Sequence, residues 1–86
     1  MIFTFSKHAE EQLFRRSLDR NIIESVMLNP EQILEDENDT DIKIYQSIER
    51  EEGKMFLYRV FVNTQSLPNV IVTLYRTTKI DKYYES

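Results

Sequence analysis

The 86-residue sequence has no cysteine, no tryptophan, one glycine, two prolines and one histidine. Without cysteine, disulfides, thiolate metal sites and cysteine nucleophiles are excluded. One glycine cannot build a glycine-rich loop around nucleotide phosphates, and one histidine cannot provide a histidine pair for zinc. The sequence therefore predicts no metal site and no cofactor.

Long apolar runs are also missing. The apolar start covers residues 1–5 only, far short of a signal-peptide core or of the ~20 residues that span a membrane. Hydrophobic residues still make up 41% of the chain, enough for a globular core. We therefore expect one domain over residues 1–86, in the cytoplasm and without a membrane partner.

The net charge of −4 is unevenly distributed. Residues 1–20 carry a net charge of +1, residues 21–53 of −8 and residues 54–86 of +3. An acidic protein is an unusual nucleic-acid binder, but the acidity here belongs to the middle of the chain. A cationic surface could form if the two ends of the chain meet, so we expect the first helix and the last strand to adjoin.

Two helices are predicted in the first third of the chain. Ser6 is a suitable cap for a helix over residues 7–17. Asp19 can cap a second helix, whose apolar residues recur at helical spacing and form one buried stripe: Ile22, Ile23, Val26 and Met27. Asn29-Pro30 is expected to end it, because a residue before proline disfavours the helical conformation.

After Pro30 the pattern becomes alternating. Strands are predicted over residues 32–36, 42–49, 55–63 and 69–77, with turns at residues 51–53 and 64–68. The alternation in residues 42–49 predicts a half-buried strand. Residues 78–86 are expected to form a short strand or a last helical turn. We therefore expect an α+β fold, in which two N-terminal helices pack on one face of an antiparallel sheet of about four strands.

His8 lies near the start of the first helix, with Gln12 and Arg16 following at four-residue intervals on the same side. A neutral imidazole can take a proton from a ribose 2′-hydroxyl, and a guanidinium can hold the adjacent phosphate. The alternative is a capping or solvent-exposed histidine on a charged helix.

Two further groups of side chains suit phosphate binding. Arg15, Arg16 and Arg20 form one, although Glu10, Glu11 and Asp19 could pair with them instead. The second mixes cations and phenols near the C-terminus, as phosphate binding with base stacking would require: Arg76, Lys79, Lys82, Tyr83 and Tyr84. Its alternative is an edge strand kept soluble by lysines.

The acidic run of residues 35–41 superficially suggests calcium. An EF-hand loop that begins at Asp36 would need glycine at the sixth position and glutamate at the twelfth, where the sequence has Asp41 and Ser47. The run is therefore interpreted as a solvated hairpin loop.

Several short motifs together resemble a family of small bacterial proteins described as a domain of unknown function. They extend from about residue 5 to residue 83: Phe5-Ser6-Lys7-His8-Ala9, Arg16, Asn29-Pro30-Glu31, Tyr45-Gln46 and Val72-Thr73-Leu74-Tyr75-Arg76-Thr77-Thr78-Lys79. That family is similar to the RelE/ParE and BrnT toxins, some of which are metal-independent ribonucleases of toxin-antitoxin systems. Gln12 and Ser17 depart from the pattern, which has Arg and Gly there, and the first change removes one phosphate ligand.

The resemblance implies a RelE-like domain with RNA and an antitoxin protein as partners. His8 would act as general base or acid, while Arg16 and Arg76 would stabilise the phosphate in the transition state. The resemblance and the residue patterns together suggest a set of substrate-binding residues: Gln12, Arg15, Tyr75, Thr77, Lys79, Lys82 and Tyr84. The alternative is a non-catalytic interaction module, whose sheet edge or acidic loop docks another protein.

Overall fold

The computed structural model describes residues 2–86 and has the order βααββββα. Its helices and strands are β1 (Phe3–Phe5), α1 (Lys7–Arg15), α2 (Arg20–Leu28), β2 (Gln32–Asp36), β3 (Asp39–Glu51), β4 (Lys54–Asn63), β5 (Asn69–Thr77) and α3 (Ile80–Tyr83). The predicted α+β fold is confirmed, including two helices ahead of four consecutive strands. Within residues 2–86, no helix is both long and apolar enough to cross a membrane.

The predicted starts of both helices and the predicted end of α2 follow from local caps. Helix α1 ends at Arg15 rather than at the predicted residue 17, because Ser17 adopts a positive φ that is not helical. The Ser6 side chain accepts a hydrogen bond from the Ala9 amide at 3.0 Å, and the Asp19 carboxylate accepts one from the Asn21 amide at 2.8 Å. Each cap satisfies an amide that has no partner inside its helix. Asn29 terminates α2, as the following proline predicts.

The sheet has five strands in the order β1-β5-β4-β3-β2, one more than predicted. The additional strand, β1, has three residues and pairs in parallel with β5, so the sheet is mixed rather than purely antiparallel. A run of three residues is too short to show a strand period, which is why the sequence did not reveal this strand. The β3 to β4 turn contains Glu52 and Gly53, both at positive φ.

The two ends of the chain meet at β5. The Ser6 amide donates to the Ile71 carbonyl at 2.9 Å, and the Ser6 hydroxyl donates to the Val72 carbonyl at 3.1 Å. Helix α1 begins there and packs on β5. The predicted contact between the first helix and the last strand is therefore confirmed.

Strand pairing assigns the side chains to two faces of the sheet. Tyr45, Val60 and Leu74 are paired across β3, β4 and β5, and they belong to the core beneath α1 and α2. The next paired row, Gln46, Arg59 and Tyr75, faces the opposite way. Both faces of β3 are buried at this level, so the prediction of a half-buried strand was wrong there. Helix α3 brings Tyr83 over the second face.

Candidate functional site

Arg59 is a buried cation in the middle of β4, on the face away from α1 and α2. It is 7% exposed. Its Nε donates to Gln46 Oε1 at 2.9 Å, and its Nη1 donates to the Tyr75 hydroxyl at 2.8 Å. The register explains both bonds, because Gln46 and Tyr75 are its partners on the two neighbouring strands.

Three aromatic rings surround the Arg59 guanidinium. Its central carbon lies 4.3 Å from the centroid of the Tyr83 ring, 5.5 Å from that of Phe61 and 5.9 Å from that of Tyr75. Rings at these distances stabilise a cation by their negative faces. Lys82 adds a second cation, with its Nζ 5.3 Å from the Tyr83 centroid. We call these residues the arginine-tyrosine cluster: Arg59, Phe61, Tyr75, Lys82 and Tyr83.

Within residues 2–86, no carboxylate forms an ion pair with Arg59. The Nη2 atom of Arg59 donates a hydrogen bond to none of the described residues. Among those residues, every fully buried polar side-chain atom has a hydrogen-bond partner, so Nη2 is not fully buried. Nη2 is therefore open to the adjoining cavity. A buried cation without an ion-pair partner is costly, and an anionic ligand in the cavity would supply that partner.

That cavity has a volume of about 410 Å³. Arg59, Phe61 and Ile44 line it from the sheet, and Lys82 and Tyr83 line it from α3. The hairpin between β2 and β3 contributes acidic residues to its wall, and the C-terminal segment contributes Glu85. The volume is within the range of small-ligand sites, which is about 300–1,000 Å³.

The surroundings of the Tyr83 phenol lower its pKa. Its hydrogen bond with Lys82 lowers its pKa, and a hydrogen bond with Tyr75 and the charge of Arg59 act in the same direction. Burial opposes these effects. A lowered pKa raises the share of the phenolate form, which is the form that can accept a proton from a group bound beside it.

Gln46 and Gln32 hold the cluster together from β3 and β2. Gln46 is fully buried, and its Nε2 donates to Gln32 Oε1 at 2.7 Å and to the Tyr83 carbonyl at 3.2 Å. Gln32 Oε1 also accepts from the Glu85 amide at 3.1 Å. One glutamine therefore positions both the Arg59 guanidinium and the backbone of α3.

The sequence-predicted residues His8, Gln12 and Arg16 lie on α1 and at its C-terminal cap. His8 is exposed, and Gln12 is 7% exposed. Arg16 Nε donates to Gln12 Oε1 at 2.6 Å. Gln12 therefore binds the arginine at the C-terminal cap of α1.

Arg76 lies on the helix-covered face of β5, opposite Tyr58. Its Nη1 forms an ion pair with Glu51 at 2.9 Å, and its guanidinium carbon lies 4.2 Å from the Phe56 centroid. It lines a cavity of about 240 Å³ together with Glu51, Glu52, Lys54 and Phe56, and His8 is not part of that lining. Arg76 and Arg59 are therefore on opposite faces of the sheet.

Only some of the other predicted binding residues belong to the cluster. Tyr75 and Lys82 belong to the arginine-tyrosine cluster. Thr77 Oγ1 accepts from the Lys79 amide at 3.1 Å just before α3, and Arg15 is exposed in the last turn of α1. Burial, followed by a hydrogen bond with Glu31, raises the pKa of Tyr84.

Sequence reasoning did not select Arg59, Phe61 or Gln46. A signal for Arg59 was present, because it is the one charged residue between Phe56 and Val62, in an otherwise apolar and aromatic run. Charged residues are rarely buried without a specific role or partner. Tyr83 was noted with the C-terminal phenols but was not selected as a site residue.

Tyr58 gives a first testable prediction, on alkaline stability. Burial and its hydrogen bond to Glu51 raise the pKa of Tyr58 to about 12, whereas an unfolded tyrosine titrates near 10. The folded state holds the proton more tightly, so this stabilisation is complete below pH ~10 and is lost as the pH rises towards ~12. Urea unfolding between pH 8 and pH 12 should show a loss of about 2 to 3 kcal/mol from this group.

Tyr58→Phe is expected to remove that part of the alkaline slope. Tyr45→Phe, which deletes another buried phenol of the same core, is the control and should retain it. Equal slopes for wild type and Tyr58→Phe would contradict the assignment.

Within residues 2–86, no group of three or more His, Cys, Asp or Glu side chains is arranged to hold a metal ion. Comparison with known proteins gives no match to a curated protein and none to a solved structure. A family model does match residues 5–76, a range that includes α1 to β4, nearly all of β5 and three members of the arginine-tyrosine cluster. Since that match covers most of the chain, the protein belongs to the DUF4258 family, described as a domain of unknown function.

Proposed function

We propose that the protein is a RelE-like toxin-type domain that binds RNA and cleaves it without a metal ion, at the arginine-tyrosine cluster. The observation that carries this proposal is Arg59, a buried guanidinium without an ion-pair partner among the described residues, beside a cavity whose lining includes the Phe61 and Tyr83 rings. Guanidinium groups bind phosphate, and aromatic rings stack on bases. The resemblance to RelE/ParE and BrnT toxins supports the same function.

The cluster offers the groups that such a reaction needs. The deprotonated Tyr83 phenol would take the proton of a ribose 2′-hydroxyl, and that oxygen would attack the adjacent phosphorus. The bond from phosphorus to O5′ would break, leaving a 2′,3′-cyclic phosphate and a 5′-hydroxyl that takes its proton from the Lys82 ammonium. Arg59 would stabilise the charge that develops on the phosphate oxygens.

We expect Tyr83→Phe to lower the cleavage rate by about 10²- to 10⁴-fold, because it removes the proton acceptor but keeps the ring. Purified protein is incubated with a single-stranded RNA, with ribosomes and without them, in the presence of a chelator. Products are analysed for 2′,3′-cyclic phosphate ends. Tyr84→Phe is the matched control, because Tyr84 does not line the cavity.

The same assay separates the two candidate sites. If His8→Ala with Arg16→Ala abolishes cleavage while Tyr83→Phe retains it, the chemistry belongs to α1 as the sequence first suggested. RNA left intact under all conditions would contradict the enzymatic proposal and favour the non-catalytic interaction module.

A further inference from the structure

The cavity beside Arg59 combines one buried cation with a strongly acidic wall. Asp36 and Glu37 line it from the hairpin between β2 and β3, and Glu85 lines it from the C-terminal segment. Glu35 also lines it, but its carboxylate is paired with Lys43 Nζ at 2.7 Å. The cations that line it are Arg59 and Lys82. A cationic floor beside carboxylates requires a ligand that is anionic at one end and rich in hydrogen-bond donors at the other.

A ligand that carries negative charge along its whole length does not fit such a cavity. One phosphate can reach the open Nη2 of Arg59, but a second phosphate directed towards Asp36 or Glu37 would meet like charges. A nucleotide bound by one phosphate would instead direct its base towards the carboxylates. Carboxylates accept hydrogen bonds from base amino groups, and single-stranded RNA exposes these on its unpaired Watson-Crick edges.

The bases differ in what they present on that edge. Guanine offers an N1–H next to an exocyclic amino group, so one carboxylate can accept from both. Uracil offers one N–H between two carbonyl oxygens, which would face the carboxylates without a donor. The acidic wall therefore favours guanine and disfavours uracil.

We infer that the acidic hairpin wall, through Asp36 and Glu37, selects an unpaired guanine nucleotide whose phosphate is held by Arg59. The inference rests on the proposed function, because it assigns the base preference of the same site. Asp36 can take this role without disturbing its turn, in which its carboxylate accepts from the Asn38 amide at 3.1 Å.

The test is a titration of ¹⁵N-labelled protein with guanosine 3′-monophosphate and with uridine 3′-monophosphate, followed by amide chemical shifts. Guanosine monophosphate is expected to bind on the order of tenfold more tightly, the size of discrimination by one well-placed bidentate pair. The shifts should map to Arg59, Tyr75, Lys82 and Tyr83.

Asp36→Asn combined with Glu37→Gln should remove the preference, because an amide presents one acceptor and one donor where a carboxylate presents two acceptors. Asp39→Asn is the matched control. It lies in the same hairpin but does not line the cavity, and it should retain the tenfold ratio.

The outcomes separate this inference from the proposed function. If both nucleotides shift the cluster amides with equal affinity, or if the double variant binds both more tightly by the same factor, the wall acts only by repulsion and the inference is wrong. If neither nucleotide shifts the cluster, or if Arg59→Lys binds both as well as wild type does, the phosphate site itself is wrong and both proposals are lost.

Discussion

Arg59→Met is expected to lower the rate of RNA cleavage by about 100- to 1,000-fold, the loss found when one donor to a developing oxyanion is removed. Methionine fills a similar volume but brings no charge and no donor. Arg59→Lys is expected to fall between this variant and wild type. A lysine retains the charge, but it cannot donate to Gln46 and Tyr75 in the planar geometry of a guanidinium and still bind a phosphate bidentately.

The control for charge alone is Arg50→Met, which removes an exposed arginine of β3 outside the cluster. It should cleave at nearly the wild-type rate, with only a small change in salt dependence. Circular dichroism and a urea titration establish that each variant is folded before its rate is compared. A folded Arg59→Met variant with wild-type activity would contradict the placement of the site.

The charge pattern of the sequence was informative about the fold but incomplete for the site. The N-terminal and C-terminal blocks do meet, through the pairing of β1 with β5. Two of the cations in these blocks are already paired with carboxylates, Arg20 with Glu10 and Arg76 with Glu51. Arg59 differs because no described carboxylate neutralises it. Burial and pairing, rather than the net charge of a block, decide which cation can bind an anion.

The helices were predictable because their signals are local. Ser6, Asp19 and Asn29-Pro30 act within a few residues of the boundaries that they set, and apolar spacing identifies the buried side of α2. Strand β1 was not predictable in this way. Its three residues find a partner at residues 69–71, and only the folded chain brings these segments together.

The site shows the same division between local and long-range information. Tyr75 and Arg76 were both predicted as site residues, yet neighbours on a strand point to opposite faces. The β4 to β5 register pairs Tyr75 with Arg59 and Arg76 with Tyr58, so one face of the sheet cannot hold both. Alternation alone could have shown that a choice was needed, but the choice itself depends on strand pairing.

The second large effect is expected at Gln46, which connects the site to the fold. Gln46→Leu is expected to lower the free energy of unfolding by about 3 kcal/mol. The variant leaves Arg59 Nε and the Tyr83 carbonyl without their hydrogen-bond partner, and each such loss costs about 1 to 3 kcal/mol. Leucine has nearly the volume of glutamine, so a cavity contributes little. Urea unfolding provides the measurement.

A double-mutant cycle with Arg59→Met distinguishes this explanation from poor packing. When both partners are apolar, neither Arg59 Nε nor the Gln46 amide oxygen is left without a hydrogen-bond partner. The free energy of unfolding of the double variant should therefore be about 1 to 3 kcal/mol higher than the sum of the two single losses predicts. Additive losses would mean that the two side chains act independently and would contradict the proposed coupling. In the double variant, α3 still lacks the hydrogen bond from Gln46 to the Tyr83 carbonyl. Amide hydrogen exchange in residues 80–83 should therefore remain faster than in wild type, even if the global free energy of unfolding recovers.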